Sequence, residues 1–481
     1  MKLFGWVANK FKVCGITVFK IKETENELAV SLFNIKFIRY KTDRLQELVE
    51  IANINKIFDT SFIDALIAKK TPAGSRPSKD PASNKVAVLA SVLYDMGGHT
   101  ECLKNLLAFL PDDYEKRVFL TACNKTAAEA PVKTAEMKKH ASFAGVNAYQ
   151  QEKPVDFKKQ LEELYRQVVD FAPKNLFVFI HPDDVLAVAL LAKIKKSTDM
   201  RVFYFNHATH LPAFGFSFAD VVLEEVASTA YITQKFRKNR KVKIYGLPCE
   251  READIPVYTE TEIAAERKRL GVPDGFLCTM SGASAYKFFD ADGSRYFEMV
   301  KKLLERNERL VHIVVTELNE ERKNVVNGLF AGSTAENRLK IVPFAADFQK
   351  LFKCADVFID SFPMSSALTQ INCMELKVPT VVKINAADTA LSFHEYFPAD
   401  YKYKFETPDA MLAGIQKLLD DKAERARVAD ENYGHYLRTF EGDVIARKTV
   451  DLMNADLQTV YEPDIPDKGY RFPNIAEAAY D

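Results

Sequence analysis

Residues 338–382, RLKIVPFAADFQKLFKCADVFIDSFPMSSALTQINCMELKVPTVV, decide the fold class. Short apolar runs rich in Val, Ile and Phe alternate with segments that have helical periodicity. This pattern predicts strands at 339–344, 355–362 and 378–384, with helices at 347–353 and 366–376 between them. Strands that are apolar on both faces and joined by helices are typical of a parallel sheet covered on both sides.

The same alternation extends outward in both directions. It predicts two further strands of this half at 276–282 and 309–317 and, in a preceding half, strands at 85–93, 117–123, 175–181, 200–207, 219–225 and 242–248. The fold class predicted is therefore α/β, with two tandem Rossmann-like domains facing across a cleft and a small N-terminal α+β extension. Ligands of such folds bind beyond the carboxyl ends of the strands.

Composition shifts predict the domain limits. Residues 15–40 resemble a meander of hairpins and 42–68 a helix, whereas the Lys- and Pro-rich stretch after them has no large apolar residue. The predicted units are an α+β extension at 1–68, a linker at 69–84, an N-terminal Rossmann-like domain at 85–255, a C-terminal Rossmann-like domain at 256–440, and a C-terminal helix and tail at 441–481.

Composition also excludes several classes of protein. The 481-residue chain has 66 basic and 66 acidic residues. Because there is no excess of positive charge, electrostatic binding of nucleic acid by the chain as a whole is not expected. Seven cysteines without a C-x-x-C pair indicate a reducing compartment, which predicts a cytoplasmic protein. No apolar run is long enough to span a bilayer. The aromatic, basic start around Trp6 is either an edge element or a peripheral contact with the inner face of a membrane.

Four of the eight histidines fall at predicted carboxyl ends of strands in the first half. A histidine near its ordinary pKa can take a proton at neutral pH, whereas the structural alternative is a ring bonded to a loop carbonyl. We take His99 and His207 as candidate catalytic bases. The other residues expected to line the cleft on this side are Gly97, Gly98, His181 and His210.

In the second half, the loop after strand 276–282 contains Gly282 and Lys287. Backbone N–H groups of small residues and one mobile cation suit a diphosphate, although Lys287 is equally compatible with a solvated surface lysine. Asp290 and Asp292 have the spacing of a carboxylate pair that holds Mg²⁺, but their place before a helix favours a turn and an N-cap. No metal site is predicted.

The 338–382 stretch resembles the donor-binding half of GT-B glycosyltransferases, especially the O-GlcNAc transferases and bacterial protein- and polysaccharide-glycosyltransferases. The motifs that carry the resemblance are Ala355-Asp356-Val357, Ile359-Asp360-Ser361-Phe362-Pro363, Ser365-Ser366, Thr369 and Val378-Pro379-Thr380-Val381. The segments Gly97-Gly98-His99-Thr100 and Asn206-His207-Ala208 are also similar to those of bacterial members. The resemblance covers about residues 85–450.

This resemblance implies that residues 85–255 form the acceptor domain, that residues 256–440 form the nucleotide-sugar domain, and that the helix and tail at 441–481 return to the N-terminal domain. It also implies roles for individual residues. Ser365, Ser366 and Thr369 would present hydroxyls and helix N–H groups to the diphosphate, Lys287 would neutralise it, and the loop at Phe344 would hold the nucleobase. The chain departs from the family at two positions: Asn372 stands where members carry the carboxylate that holds the ribose, and Lys377 replaces a glycine. The paired glutamates of many retaining enzymes are absent, since Glu375 is out of register, which favours inversion.

The function predicted is transfer of a sugar from a nucleotide-diphosphate sugar to a glycan, a lipid-linked glycan or a protein hydroxyl or amide. We expect it to be metal-independent and inverting, to use no cofactor besides the donor, and to serve bacterial surface glycan or glycoprotein synthesis. Two alternatives remain open: a sugar-nucleotide epimerase of the same fold, and a non-catalytic module that binds a glycan or a partner.

Overall fold

The structure is a computed structural model. It describes Ala52 and residues 56–75, 81–93, 98–121, 147–150, 156–290, 293–344, 347–386 and 388–471, together with the backbone of five N-terminal strands. Those strands form an antiparallel meander in chain order, as the hairpin pattern predicts: β1 (Phe4–Val7), β2 (Lys10–Val13), β3 (Ile16–Thr24), β4 (Glu27–Leu32) and β5 (Ile35–Lys41).

The first lobe is built on a parallel sheet in the order β12-β11-β10-β9-β6-β7-β8. Its strands are β6 (Ala82–Ala90), β7 (Glu115–Leu120), β8 (Asn147–Gln150), β9 (Pro173–Phe179), β10 (Arg201–Phe205), β11 (Val221–Glu224) and β12 (Val242–Ile244). After β6, the chain adds β7 and β8 at one side of the sheet. It then returns to the other side of β6 and adds β9, β10, β11 and β12 in that order. The direction of winding therefore reverses between β6 and β9, and the loops after these two strands diverge and leave a crevice.

Helices cover both faces of this sheet. They are α1 (Ser61–Lys70), α2 (Gly98–Phe109), α3 (Phe157–Phe171), α4 (Val185–Ser197) and α5 (Ala227–Lys235). α1 packs on α4, and its residues Ile63, Leu66 and Ile67 belong to the core of the first lobe. Buried Asp64 of α1 accepts hydrogen bonds from the backbone N–H groups of Gly215 (2.8 Å) and Ser217. The sequence predicts a helix at 42–68, whereas α1 begins at Ser61 after residues 57–60, which lie in no helix; most of 42–56 lies outside the described residues. α1 is joined to the first lobe by both apolar and polar contacts.

The second lobe repeats the plan with a parallel sheet in the order β15-β14-β13-β16-β17-β18. Its strands are β13 (Leu277–Gly282), β14 (Leu310–Val315), β15 (Leu339–Val342), β16 (Val357–Ile359), β17 (Thr380–Lys383) and β18 (Lys404–Phe405). Its winding reverses between β13 and β16. Its helices are α6 (Glu260–Arg269), α7 (Arg295–Arg306), α8 (Glu320–Phe330), α9 (Phe348–Lys353), α10 (Leu368–Glu375), α11 (Pro408–Asp420) and α12 (Lys422–Thr439).

A last helix, α13 (Gly442–Asn454), lies against α2 of the first lobe. The Arg201 guanidinium donates to the carbonyls of Met453 (2.5 Å) and Ala455 (2.6 Å), so the first lobe supplies the partners that the end of α13 lacks. Helical periodicity over residues 443–460 predicts that this helix continues to residue 460. It ends at Asn454, and a 3₁₀ turn follows at Leu457–Thr459.

One apolar cluster is shared by the two lobes. It combines Phe205 and Leu247 of the first lobe with Ile371, Met374 and Tyr436 of the second, all of them buried. Each side chain of this size contributes about 1.5–3 kcal/mol when it leaves water. The lobes are therefore held together by a continuous core, and the predicted α/β class with two facing Rossmann-like units is confirmed. None of the described helices combines the length and apolar character needed to cross a bilayer.

Candidate functional site

Three predicted histidines meet at the carboxyl edge of the first sheet. His181 follows β9, His207 follows β10, and His99 lies on the first turn of α2, so all three border the point where the winding reverses. The ring centroids of His99 and His207 are 4.2 Å apart, and those of His99 and His181 are 6.0 Å apart. All three residues are partly accessible. Gly97 lies outside the described residues.

Although the residues are partly accessible, both ring nitrogens of His99 and Nδ1 of His207 are buried, which favours the neutral imidazole. Desolvation, with the neighbouring His181, lowers the pKa of His99 to about 3, and desolvation lowers the pKa of His207 well below its ordinary value. His210 lies farther along the same loop, and its pKa falls to about 4 because of burial and the nearby charge of Lys287. A neutral ring both donates and accepts hydrogen bonds, which suits a site for hydroxyl groups.

A carboxylate that the sequence analysis did not single out supports this edge. Buried Asp184 caps α4 through the N–H of Ala187 (2.9 Å) and accepts hydrogen bonds from the hydroxyls of Ser91 (2.6 Å) and Thr121. The Ser91 hydroxyl in turn accepts from the backbone N–H of His181 (2.9 Å). Asp184 therefore ties together the ends of β6, β7 and β9 beneath the histidines.

In the second lobe, Lys287 lies beside the bend formed by Ser365 and Ser366 before α10, which we call the serine bend. In the sequence, 78 residues separate Lys287 from Ser365. The Lys287 Nζ donates to the Ser365 carbonyl at 2.9 Å. The two loops meet because they follow β13 and β16, the adjacent strands between which the winding reverses. Burial lowers the pKa of Lys287 to about 8, against the opposing effect of Asp360 and Glu225.

The bend uses its serine hydroxyls internally. Ser366 donates to Asp360 Oδ1 from its backbone N–H (2.9 Å) and its hydroxyl (2.7 Å), and the Ser365 hydroxyl accepts from the Gln370 side chain and the Ala367 N–H. Ala367 has φ +56°, a conformation that a residue with a side chain adopts only at a cost in free energy. These contacts fix the start of α10, where Thr369 is partly exposed on the first turn.

The two lobes touch where a helix of each begins. A Cβ added to Gly98, the first residue of α2, would lie 3.3 Å from Cδ2 of Leu368, the first residue of α10. Helix N-termini carry free N–H groups and a partial positive charge, so both favour an anion between them. Lys287 lies beside α10, so a cation and backbone N–H groups occur together at this junction, with the carboxylates of Asp360 and Glu225 nearby.

The remaining predicted donor residues have other surroundings. A Cβ on Gly282 would lie 2.3 Å from the Phe352 ring, so packing within the lobe demands this glycine. Phe344 follows β15 and packs partly on the adjoining core. Asn372 donates to Glu375 Oε1 at 3.1 Å.

The carboxylates with the spacing of a metal site make other contacts. Asp290 pairs with Arg295 (2.5 Å), and Asp292 lies outside the described residues. Among the described residues, no cluster of three His, Cys, Asp or Glu side chains could hold a metal ion.

No protein-family model matches the chain, and neither does any curated protein. Similar solved structures include Anabaena Alr3699/HepE in complex with UDP-glucose (15% identity, 76% of this chain and 99% of that chain, TM-score 0.58). Two more are a Thermobaculum terrenum O-GlcNAc transferase mutant (13%, 85% and 76%, TM-score 0.51) and a UDP-GlcNAc 2-epimerase from Neisseria meningitidis bound to UDP-GlcNAc (12%, 77% and 100%, TM-score 0.51). At these identities the likeness concerns the fold alone.

The facing parallel sheets, the two reversals of winding and the solved structures that span the same two lobes agree with one another. The resemblance inferred from residues 338–382 is thereby confirmed at the level of the fold. The chain has the GT-B fold.

Proposed function

We propose that the protein is a glycosyltransferase that uses a nucleotide-diphosphate sugar. The observation that carries this proposal is the junction of Lys287 with the bend that opens α10, beneath the start of α2. A cation and two helix N-termini lie close together there, and His99 lies on the first turn of α2 beside Gly98. Structures of similar fold have been solved with UDP-glucose and UDP-GlcNAc, which supports a donor of this class.

The chemistry proposed is direct displacement. An acceptor oxygen attacks the anomeric carbon, the bond from that carbon to the diphosphate breaks, and the acceptor proton passes to His99 or His207. A ring with a strongly lowered pKa is a weak base. A bound diphosphate would raise the pKa of the nearby rings, because a negative charge stabilises the imidazolium. The base would therefore gain strength only once the donor is in place.

The departing diphosphate would be stabilised by Lys287 and the first-turn N–H groups of α10, which are held in position before it arrives. We propose that the reaction is inverting and independent of a metal, as the motifs imply. The acceptor would be a glycan, a lipid-linked glycan or a protein, in synthesis of bacterial surface glycans or glycoproteins at the inner face of the membrane.

The test is release of free nucleoside diphosphate from a panel of UDP-, GDP-, ADP- and dTDP-sugars, with and without glycan and peptide acceptors. We expect one donor to release nucleoside diphosphate, and Lys287→Ala to abolish most of that release. If no donor reacts or binds, the proposal is wrong.

An epimerase is the second candidate, since one similar structure is a UDP-GlcNAc 2-epimerase. It would change the configuration of the sugar without an acceptor. Chromatography of the nucleotide sugar after incubation separates these outcomes. A third outcome, donor binding without turnover, would indicate a binding module.

A further inference from the structure

The segment that follows α13 returns from the first lobe to the second. Residues 463–471, which we call the C-terminal strap, run along α5 of the first lobe. At the end of α5, the Gln234 side chain accepts a hydrogen bond from the backbone N–H of Ile465 (2.8 Å). About one turn earlier on α5, the Tyr231 hydroxyl donates to Asp467 Oδ2 (2.9 Å). The strap therefore runs toward the start of α5, which lies at the carboxyl edge of the first sheet.

The end of the strap contacts the second lobe. The Tyr470 hydroxyl donates to Glu395 Oε1 (2.8 Å). The Thr389 hydroxyl donates to the carbonyl of Arg471 (2.9 Å) and accepts from the backbone N–H of the same residue (2.9 Å). Because one short segment is hydrogen-bonded to both lobes, it resists their separation.

The loop at 388–397, which follows β17, joins the strap to the proposed diphosphate site. The carbonyl of Leu391 accepts a hydrogen bond from the backbone N–H of Ser365 in the serine bend (2.8 Å). The second carboxylate oxygen of Glu395 accepts from the backbone N–H of Ser228 at the start of α5 (2.8 Å). One loop therefore contacts the strap, the first lobe and the serine bend.

Most of the strap is exposed, although its hydrogen bonds reach both lobes. Asp467 and Arg471 are exposed, and Ile465 and Tyr470 are only partly buried. A segment with few buried apolar contacts can detach locally while the rest of the protein stays folded. Detachment of the strap therefore costs little beyond the loss of its hydrogen bonds.

We propose that the C-terminal strap gates entry and release of the nucleotide: it must leave Thr389 and Glu395 before the 388–397 loop can move away from α5. The inference rests on the proposed function. In many enzymes a closing segment limits the rate of product release. The strap makes these contacts outside the residues proposed to hold the diphosphate. A ligand shifts a conformational equilibrium only through differential contacts, so weakening the strap should raise the association and dissociation rate constants together and leave the Kd nearly constant.

The experiment is stopped-flow kinetics on the wild type and Tyr470→Phe. The probe is UDP with a fluorescent label on its ribose, and an excess of unlabelled UDP measures its release. Loss of one hydrogen bond of ordinary strength changes an equilibrium about fivefold, so both rate constants should rise about fivefold with less than about a twofold change in Kd. Unchanged rates would contradict the inference. Faster release with correspondingly weaker binding would also contradict it, because Tyr470 would then belong to the binding site itself.

Asp464→Asn is the matched control. Asp464 also lies on the strap, but it pairs at 3.4 Å with Arg240 of the first lobe, and both side chains are highly exposed. An ion pair of this kind contributes little, so both rate constants should keep their wild-type values. An acceleration equal to that of Tyr470→Phe would show that the contact with the second lobe is not decisive, which would contradict the inference.

Hydrogen exchange tests the strap without nucleotide and so separates this inference from the proposed function. Tyr470→Phe should speed exchange of the Ser365 N–H and of the 388–397 loop, because the strap restrains both. Unchanged exchange would contradict the inference whether or not nucleotide binds. A folded wild type that binds none of UDP, GDP, ADP and dTDP would instead contradict the proposed function.

Discussion

Replacing Lys287 with methionine should change stability and nucleotide binding in opposite directions. Burial lowers the pKa of Lys287 from its ordinary 10.5 to about 8, so the folded state holds the ammonium less readily than the unfolded chain does. Each pKa unit corresponds to about 1.4 kcal/mol, which gives at most about 3 kcal/mol of destabilisation at neutral pH. The side chain is partly accessible, so solvent screening reduces this to about 2 kcal/mol.

Lys287→Met should therefore be more stable than the wild type by about 2 kcal/mol at pH 7. The folded pKa lies below the unfolded one, so the wild type gains stability as the pH rises from about 8 to 10.5, and the difference between the proteins shrinks over that range. Binding should change the other way. A hydrogen bond to a charged group contributes about 1.5–3 kcal/mol, so affinity for a nucleotide sugar should fall by roughly 10- to 150-fold.

Urea unfolding at several pH values and calorimetry with UDP-glucose measure the two effects. A variant that is less stable at pH 7 than the wild type, yet binds the nucleotide sugar equally well, would show that Lys287 is a structural lysine.

Three further changes test the surroundings of the site. Gly282→Ala should destabilise by about 1–3 kcal/mol, because its Cβ would overlap the Phe352 ring; an unchanged urea midpoint would contradict this. Glu375→Gln should be more stable than the wild type by about 2–4 kcal/mol at pH 8 and similar to it near pH 4. Burial raises the pKa of Glu375 to about 8, above its ordinary 4.5, so the stability that the neutral group retains at low pH is lost as the pH rises. Asp184→Ala should lower both the thermal midpoint and the rate of sugar transfer, because the buried Ser91 hydroxyl and Ala187 N–H beneath the histidines would lose their acceptor. A wild-type rate of transfer would show that Asp184 does not support the site.

The fold could be predicted because its strands are apolar on both faces and its helices are mostly amphipathic. Two helices were not predicted. α5 contains serine and threonine yet is buried around much of its surface, and α8 is mainly polar with only Val326 and Phe330 buried. Neither has the periodic stripe of apolar residues on which such predictions depend.

The site could be predicted in part. Loops that follow the central strands of parallel sheets meet where the winding reverses, which is why Lys287 and Ser365 were placed on the same site. The sequence does not indicate that the Ser365 and Ser366 hydroxyls form hydrogen bonds within the bend. These bonds depend on the position of Asp360 and on the backbone conformation of Ala367. In the sequence, Glu225 is the last residue of the predicted strand 219–225, with no sign of burial. It is buried, and its hydrogen-bond partner Tyr396 lies 171 residues away in the other lobe.

The central claim is that a diphosphate binds where α10 begins, beside Lys287. A crystal structure of the protein with UDP tests it most directly. We expect diphosphate oxygens at about 3 Å from the Lys287 Nζ and from N–H groups in the first turn of α10. A well-ordered diphosphate bound elsewhere, with Lys287 and this turn making no contact to it, would contradict the account.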